Sequence, residues 1–480
     1  MPGADSPAIS RRDWAILGAV AAVSMAVRLV LVNFPSRFVV DEYWYARDGC
    51  FYWRGSLEAC RLAGLVAPDR DVATFLASYG ELTPEHPPLA KWLIGAPMTL
   101  LDFTPGAWRL AAVAAGVITI GLLYLLVKRI TGSTWAAAGA SLLLAIDFSH
   151  VVHSRIAMLE IFVAMFAVAA FWFLTLDRQQ VVRRAGHASH RRWRLAAGVA
   201  AGSAAACKLS GVAVVLALVV LVTAWELSKY RGWRNALRGV GREAPGIVLP
   251  LVIVPLATYM LTYVGRLDGS LLALPWADGS WVHAWIERQG LMLGFHAAKP
   301  SVATPAWWLP MTAGTIPYAL ERGDGTIRQV LLFGNPLLWW GGFAAVVLAA
   351  AVWIRGERSG SGGLVVIAFF ASYAGWLSLT VTGRPVHLFH AVTVTPFLYV
   401  ALAVAGRRVA RWRAGRIAVI AVVSSAVIAF AFYLPILIGL PLEPAQWHAR
   451  ACSASALWLD PLEECGTGAG AREGRSGGGP

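Results

Sequence analysis

The sequence predicts an all-α, polytopic membrane protein, and three observations carry that prediction. Of its 480 residues 58% are hydrophobic and only 14% are charged, against about 25% charged in a soluble domain. The apolar residues fall into runs long enough to cross a roughly 30 Å hydrocarbon core, which takes about 20 residues of helix. The basic residues gather in the short segments between those runs, as they do in cytoplasmic loops of membrane proteins. The excess of 41 Lys and Arg over 27 Asp and Glu is therefore an orienting signal and not a nucleic-acid footprint. No zinc-finger spacing and no basic helix with heptads accompanies it.

Taken in order, Arg11-Arg12 precede an apolar run at about 14–33. That run is longer than the roughly 7–15 residues of a signal-peptide core and no small-residue cleavage site follows it, so it predicts an uncleaved first span. Ten further runs lie at about 109–127, 135–149, 156–176, 194–207, 209–227, 245–264, 331–354, 363–382, 387–405 and 417–440. Pro88–Leu101 is too short to span and suits an interfacial helix. With the N-terminus cytoplasmic, eleven spans place Lys128-Arg129, Arg178 to Arg194, Lys229 to Arg242, Arg355, Arg358 and Arg407 to Arg416 inside. Counting Pro88–Leu101 as a span would move Arg178–Arg194 outside and break the pattern. One transmembrane domain then covers residues 1–440, with long outer loops at 34–108 and 265–330. An outer tail at 441–480 follows, Gly-rich and predicted disordered from Gly466. The second loop is rich in Trp, Pro and Gly, including Trp276, Trp281, Trp285, Trp307 and Trp308.

Cys50 and Cys60 fall in the first outer loop, Cys452 and Cys465 in the tail, and Cys207 at a span end. Four outer thiols in an oxidising compartment suit two disulfides. Their spacing leaves the connectivity open.

On the outer face the polar residues converge. Asp41 and Glu42 end the first span, and two adjacent carboxylates are costly there unless they bind something or move protons. His86 precedes Pro87-Pro88, which launches the interfacial segment bearing Lys91. Asp147, His150, His153, Arg155 and Glu160 surround the turn between the third and fourth spans. Lys208 lies between the fifth and sixth, and Arg384, His387 and His390 between the ninth and tenth. Cations and carboxylates at one membrane surface suit an anionic lipid substrate: the cations hold its phosphate, and a carboxylate takes a proton from the acceptor. Plainer readings stand beside this one. Arg155 and Glu160 make a structural ion pair, or Arg155 snorkels, and the histidines serve packing. Asp69-Arg70-Asp71 is a solvated loop and not an Asp-x-Asp metal site, because no nucleotide-binding α/β domain accompanies it. No phosphate-cradling loop, H-E-x-x-H or G-x-S-x-G elbow is found. No metal cluster or cofactor motif is evident, which leaves any divalent-metal requirement open.

Asp41-Glu42 followed by His86-Pro87-Pro88-Leu89-Ala90-Lys91 resembles the Asp-Glu and HPPLGK motifs of the protein O-mannosyltransferases. Ser154-Arg155-Ile156-Ala157-Met158-Leu159-Glu160-Ile161-Phe162 is similar to their A/S-R-x-x-L-L-D-x-F element, and Cys207-Lys208-Leu209-Ser210-Gly211 to their S-K-W-S-G. Gly334-Asn335-Pro336 with Trp339-Trp340 resembles their G-N-P-x-x-W-W. The motifs run in family order from Asp41 to about Phe397. The departures are Ala90 for Gly, Glu160 for Asp, Leu209 for Trp, and a loose match from Phe295-His296 to Pro317. The resemblance implies the GT-C membrane glycosyltransferase fold, with a site facing out of the plasma membrane. It also implies a polyprenyl-phosphate-mannose donor and Ser/Thr hydroxyls of exported proteins or peptides as acceptor. By motif, Asp41 is the general base with Glu42 beside it, while Arg155, Lys208, His86 and Lys91 attend the donor phosphate. Glu160, Arg384 and His387 support them. The rival readings are a polyprenyl-phosphate-sugar transferase acting on a lipid or cell-wall glycan, and a lipid or solute transporter. A transporter would show inverted repeats or polar residues at mid-span.

Overall fold

The computed structural model describes residues 9–55, 60, 83, 85–183, 191–230, 232–264, 266–267, 270–271, 280–298, 316–355, 360–381, 387–457 and 465. Asp69-Arg70-Asp71, Trp276, Trp307, Trp308, Arg384 and the stretch from Gly466 lie outside them.

Helices form over all eleven predicted apolar runs, and local chemistry sets their ends. α1 (Arg11–Leu29) starts at a capping box in which Ser10 and Asp13 exchange hydrogen bonds. α2 (Glu42–Arg54) and α3 (Leu89–Gly95) belong to the segment between the first two predicted spans. α4 (Pro105–Thr131) begins with Thr104 as cap and Pro105 at the first turn. α5 (Thr134–Ala145), capped by Ser133, stops where Asp147 caps the short α6 (Phe148–His153). α7 (Glu160–Arg183), α8 (Arg192–Cys207) and α9 (Val212–Leu227) follow. After α10 (Trp233–Glu243) the chain is helical over Pro245–Val248, opens into a π-turn at Leu249–Ile253 and closes as α11 (Val254–Leu261). Pro250 and Pro255 each lack the amide that would complete a regular ladder there. α12 (Ser280–Ala298), α13 (Pro336–Ile354), α14 (Gly360–Val381), α15 (Thr395–Val409), α16 (Arg413–Ile438) and α17 (Pro444–Leu457) complete the helices.

Among the described residues, five helices are both long and apolar enough to cross a membrane. These are Pro105–Thr131, Glu160–Val181, Leu209–Leu227, Pro336–Ile354 and Arg413–Ile438, with a sixth if the bent pair α10 and Pro245–Leu261 is one span. Two of the predicted runs begin as something other than α-helix. The run at 387–405 opens as a 3₁₀ turn at Leu388–Thr393 and becomes α-helical only at Thr395. The run at 331–354 opens as strand, and its helix waits for the Asn335 cap.

The chief departure from an all-α chain is the hairpin of β1 (Ile316–Gly323) and β2 (Thr326–Leu332). Its turn is Asp324-Gly325, both with positive φ, a strong two-residue hairpin signal. Ile327 pairs through its backbone with Leu442, fastening the hairpin to the chain beyond α16.

α7 is the most enclosed of the five long helices, with 78% of its apolar window buried, and α16 the most exposed, with 11%. Exposed Leu216, Val220, Val347, Leu348, Ile417, Ile420 and Ile428 form an outward apolar surface suited to lipid. One end of the bundle is tied by buried ion pairs. Asp13 meets Lys128 at 3.0 Å and accepts from Tyr124 and Thr134. Arg194 bridges Asp177 at 3.0 Å and Glu226 at 2.6 Å. The opposite end carries Asp41, Glu160 and Lys208. Four cysteines pair as Cys50–Cys60 and Cys452–Cys465, and Cys207 is free and buried.

Candidate active site

Asp41 occupies the N-cap position of α2 and is partly buried. Val40 before it takes a positive φ of 48°, uncommon for a β-branched residue, which turns the chain sharply into the helix. Asp41 accepts from the Tyr45 hydroxyl, one helical turn on, at 3.3 Å. Glu42 has a different environment. Its fully buried carboxylate takes Arg109 Nε and Nη2, each at 2.8 Å, plus the amides of Val39 at 2.9 Å and Ala157 at 2.8 Å. Arg109 spends its remaining donors on the carbonyls of Val32, Pro35 and Arg37. This bidentate pair pins the chain after α1 to both α4 and the turn before α7.

A second group comes from later in the chain. Glu160, the first residue of α7, is fully buried and accepts from Lys208 Nζ at 2.5 Å through Oε1. Lys208 sits in extended backbone at the end of α8, with its ammonium 5.4 Å from the Trp376 ring centre. His390 stacks on Trp376 at 3.8 Å, with Nε2 3.8 Å from Glu160 Oε1. The Tyr45 ring lies 6.0 Å from the His86 ring. Burial pushes the Tyr45 hydroxyl well above the usual phenol range, and the charges of Asp41, Glu85 and Glu160 push it further. Tyr318 on β1 behaves in the same way, through burial first and then Glu160, Asp41 and Glu42. The two groups thus form one polar cluster built from α2, the turn before α7, the α8–α9 junction, β1 and the 3₁₀ turn.

Other sequence-predicted residues are committed elsewhere. Arg155 gives its guanidinium to the carbonyls of Val27, Arg28, Val30, Leu31 and Ile438, closing the end of α1 against the end of α16. Fully buried Lys91 bonds Asp48 at 2.8 Å and Thr83 Oγ1 at 2.8 Å, tying α3 to α2. Asp147 accepts from Trp339 and Tyr399. His150 meets Arg28 at 2.9 Å. His387 is exposed at the start of the 3₁₀ turn, and Arg384 lies outside the described residues. Among the described residues no group of three or more His, Cys, Asp or Glu is placed to hold a metal ion.

Arg109, Asp48, Tyr45 and Tyr318 were not singled out by sequence. An arginine opening an apolar run opposite an acidic pair is the signal that would have found Arg109. Two motif glycines also gain a physical reason. A Cβ on Gly211 would stand 2.2 Å from the Ala204 carbonyl carbon, so only glycine lets the chain fold back on α8 after Lys208. A Cβ on Gly334 would meet the Trp339 ring at 2.6 Å. Asn335 then caps α13 through Leu338 N, and Trp339 reaches Asp147.

A family model described as dolichyl-phosphate-mannose-protein mannosyltransferase matches residues 18–265. Curated relatives called polyprenol-phosphate-mannose–protein mannosyltransferase are similar over most of both chains. The one from Mycobacterium tuberculosis is 28% identical over 429 residues, covering 78% of this chain and 80% of that one. The one from Corynebacterium glutamicum is 27% identical, covering 89% of each. Among solved structures, the S. cerevisiae protein O-mannosyltransferase Pmt1-Pmt2 complex bound to the sugar donor superposes with a TM-score of 0.70 at 14% identity, over 96% of this chain and 95% of that one. ArnT from Cupriavidus metallidurans bound to undecaprenyl phosphate gives 0.54 at 17% identity, over 94% of this chain and 76% of that one. These two structures show a shared GT-C fold.

Proposed function

The chain belongs to the dolichyl-phosphate-mannose-protein mannosyltransferase family, and on that premise we propose that it moves mannose from a polyprenyl-phosphate-mannose donor to Ser or Thr hydroxyls of exported proteins. It is a multi-span membrane glycosyltransferase. The proposed setting is the plasma membrane, with the N-terminus cytoplasmic and the site facing out, supported by the basic residues gathered at the end of the bundle opposite Asp41. The observation that carries the chemical reading is the contrast between the two adjacent acids. Glu42 is saturated by four donors, while Asp41 is held beside it at the edge of a cluster that contains Lys208.

In the proposed reaction the acceptor oxygen attacks the anomeric carbon as the bond from that carbon to the phosphate oxygen breaks, inverting the centre. Asp41 takes the hydroxyl proton. The polyprenyl phosphate departs with the bonding electrons and is stabilised by Lys208, with His86 lining the same region. Arg155 and Lys91 act one step away, by holding α1 and α3 in register with the site.

Incubating purified protein with labelled polyprenyl-phosphate-mannose and a Ser/Thr peptide tests the reading. Label is expected on the peptide. Label on a lipid or cell-wall glycan and none on the peptide would reassign the acceptor class.

A further inference from the structure

Three polar atoms in the cluster lack a hydrogen-bond partner among the described residues: Glu160 Oε2, His153 Nε2 and the Tyr318 hydroxyl. All three side chains are at least nine-tenths buried. A buried polar atom without a partner is costly, so three in one place call for a ligand that satisfies them. They are in one place: the His153 and Tyr318 rings lie edge to face at 6.3 Å, and both groups feel the charge of Glu160.

Their hydrogen-bonding character defines the ligand. The other Glu160 oxygen is taken by Lys208, leaving Oε2 as an acceptor. The Nδ1 of His153 lies 2.8 Å from the Ser149 carbonyl, which fixes the proton on Nδ1 and leaves Nε2 as a second acceptor. Burial lowers the His153 pKa to about 4, against smaller opposing effects of the Ser149 carbonyl and Glu160, so the ring is neutral at physiological pH. The Tyr318 hydroxyl donates or accepts. Tyr318 is also the extra residue of a β-bulge, since Pro317 pairs with Leu331 and Ala319 with Val330. A bulge is a recurrent device for re-aiming one side chain. Two acceptors and a hydroxyl suit neither a phosphate, which offers acceptors only, nor a polyprenyl chain, which offers none. They suit the vicinal hydroxyls of a sugar ring.

We propose that His153, Glu160 and Tyr318 form the subsite that binds the hydroxyls of the donor's hexose and so separates glycosylated lipid from free polyprenyl phosphate. This rests on the transferase reading above and deepens it.

The test measures binding of polyprenyl-phosphate-mannose and of sugar-free polyprenyl phosphate to the full-length protein in nanodiscs. Tyr318→Phe removes one hydroxyl. His153→Asn keeps an amide donor for the Ser149 carbonyl but removes the Nε2 acceptor. Each is expected to weaken the mannosylated lipid about 3- to 10-fold and to leave the sugar-free lipid and the peptide KM unchanged. Equal losses for both lipids would overturn the inference in favour of a phosphate-side or purely structural role. Unchanged donor binding with a raised peptide KM would overturn it in favour of the acceptor hydroxyl. Wild-type protein that transfers mannose, while both variants discriminate the two lipids as wild type does, would overturn the inference alone. Wild-type protein that neither transfers mannose nor prefers the mannosylated lipid would overturn both it and the reading it rests on.

Discussion

At Asp41 a partly buried carboxylate accepts from the Tyr45 hydroxyl at 3.3 Å, and the next residue along is enclosed by two guanidinium nitrogens and two backbone amides. The two acids should therefore fail differently. Asp41→Asn keeps the volume but cannot hold the acceptor's proton, so single-turnover transfer should fall about 10²–10⁴-fold with donor affinity nearly intact. Near-normal turnover would remove Asp41 from the role of base. Glu42→Gln leaves Arg109 buried without its anion, a change that typically costs about 3–5 kcal/mol. It should appear as a lowered melting temperature and yield, with any surviving protein retaining its dependence on Asp41. Among the cations, Lys208→Ala should weaken donor use about 10- to 100-fold, the scale of one charge-assisted contact. The guanidinium of Arg155 is spent on five carbonyls, so Arg155→Lys should lower thermal stability and change the donor KM little. A donor KM shifted as much by Arg155→Lys as by Lys208→Ala would return Arg155 to the phosphate.

At the scale of elements, the motif around Gly334 acts as a small joint: glycine gives clearance for Trp339, asparagine caps α13, and Trp339 reaches Asp147 beneath α6. Gly334→Ala forces the indole to move and should cost about 1–3 kcal/mol, read as a fall in melting temperature larger than the roughly 1 kcal/mol expected for Asn335→Ala at the cap. An equal or smaller effect of Gly334→Ala would mean that the ring relaxes freely. The helices were legible in the sequence because hydrophobicity, caps and proline act over a few residues. Their exact starts at 336 and 395 were less so, since an apolar run reads the same as strand, 3₁₀ turn or helix. The hairpin did carry a local signal in Asp324-Gly325, hidden by the apolar run that follows it. In the site, residue types could be read from spacing, but partners could not. Whether Arg155 meets a phosphate or five carbonyls depends on where residues 27–31 and 438 lie, and no pattern near Arg155 encodes that.

For the whole molecule, orientation and covalent ties are the testable features. The four paired cysteines should resist alkylation until reduced; mass spectrometry of unreduced protein showing them free would refute the pairing. With those thiols blocked and Cys207 buried, an introduced thiol reports topology cleanly. An impermeant reagent added outside should label Asp71→Cys and spare Gly186→Cys. The reverse pattern would turn the site inward and deprive exported proteins of access to it.

The clasp between Glu42 and Arg109 has a consequence for how such enzymes diversify. The groups that hold Glu42, namely Val39, Arg109 and Ala157, all lie within the stretch matched by the family model, residues 18–265. The aim of Asp41 is thus inherited from the first half of the chain, before any part of the 272–315 segment is translated. Within that segment α12 is tied back to the matched stretch, through Arg288 donating to the Thr83 carbonyl and Gln289 accepting from Tyr259, so an exchange has to keep those contacts. A chimera carrying the corresponding stretch of a mycobacterial relative should keep its turnover on the donor while choosing different proteins to modify.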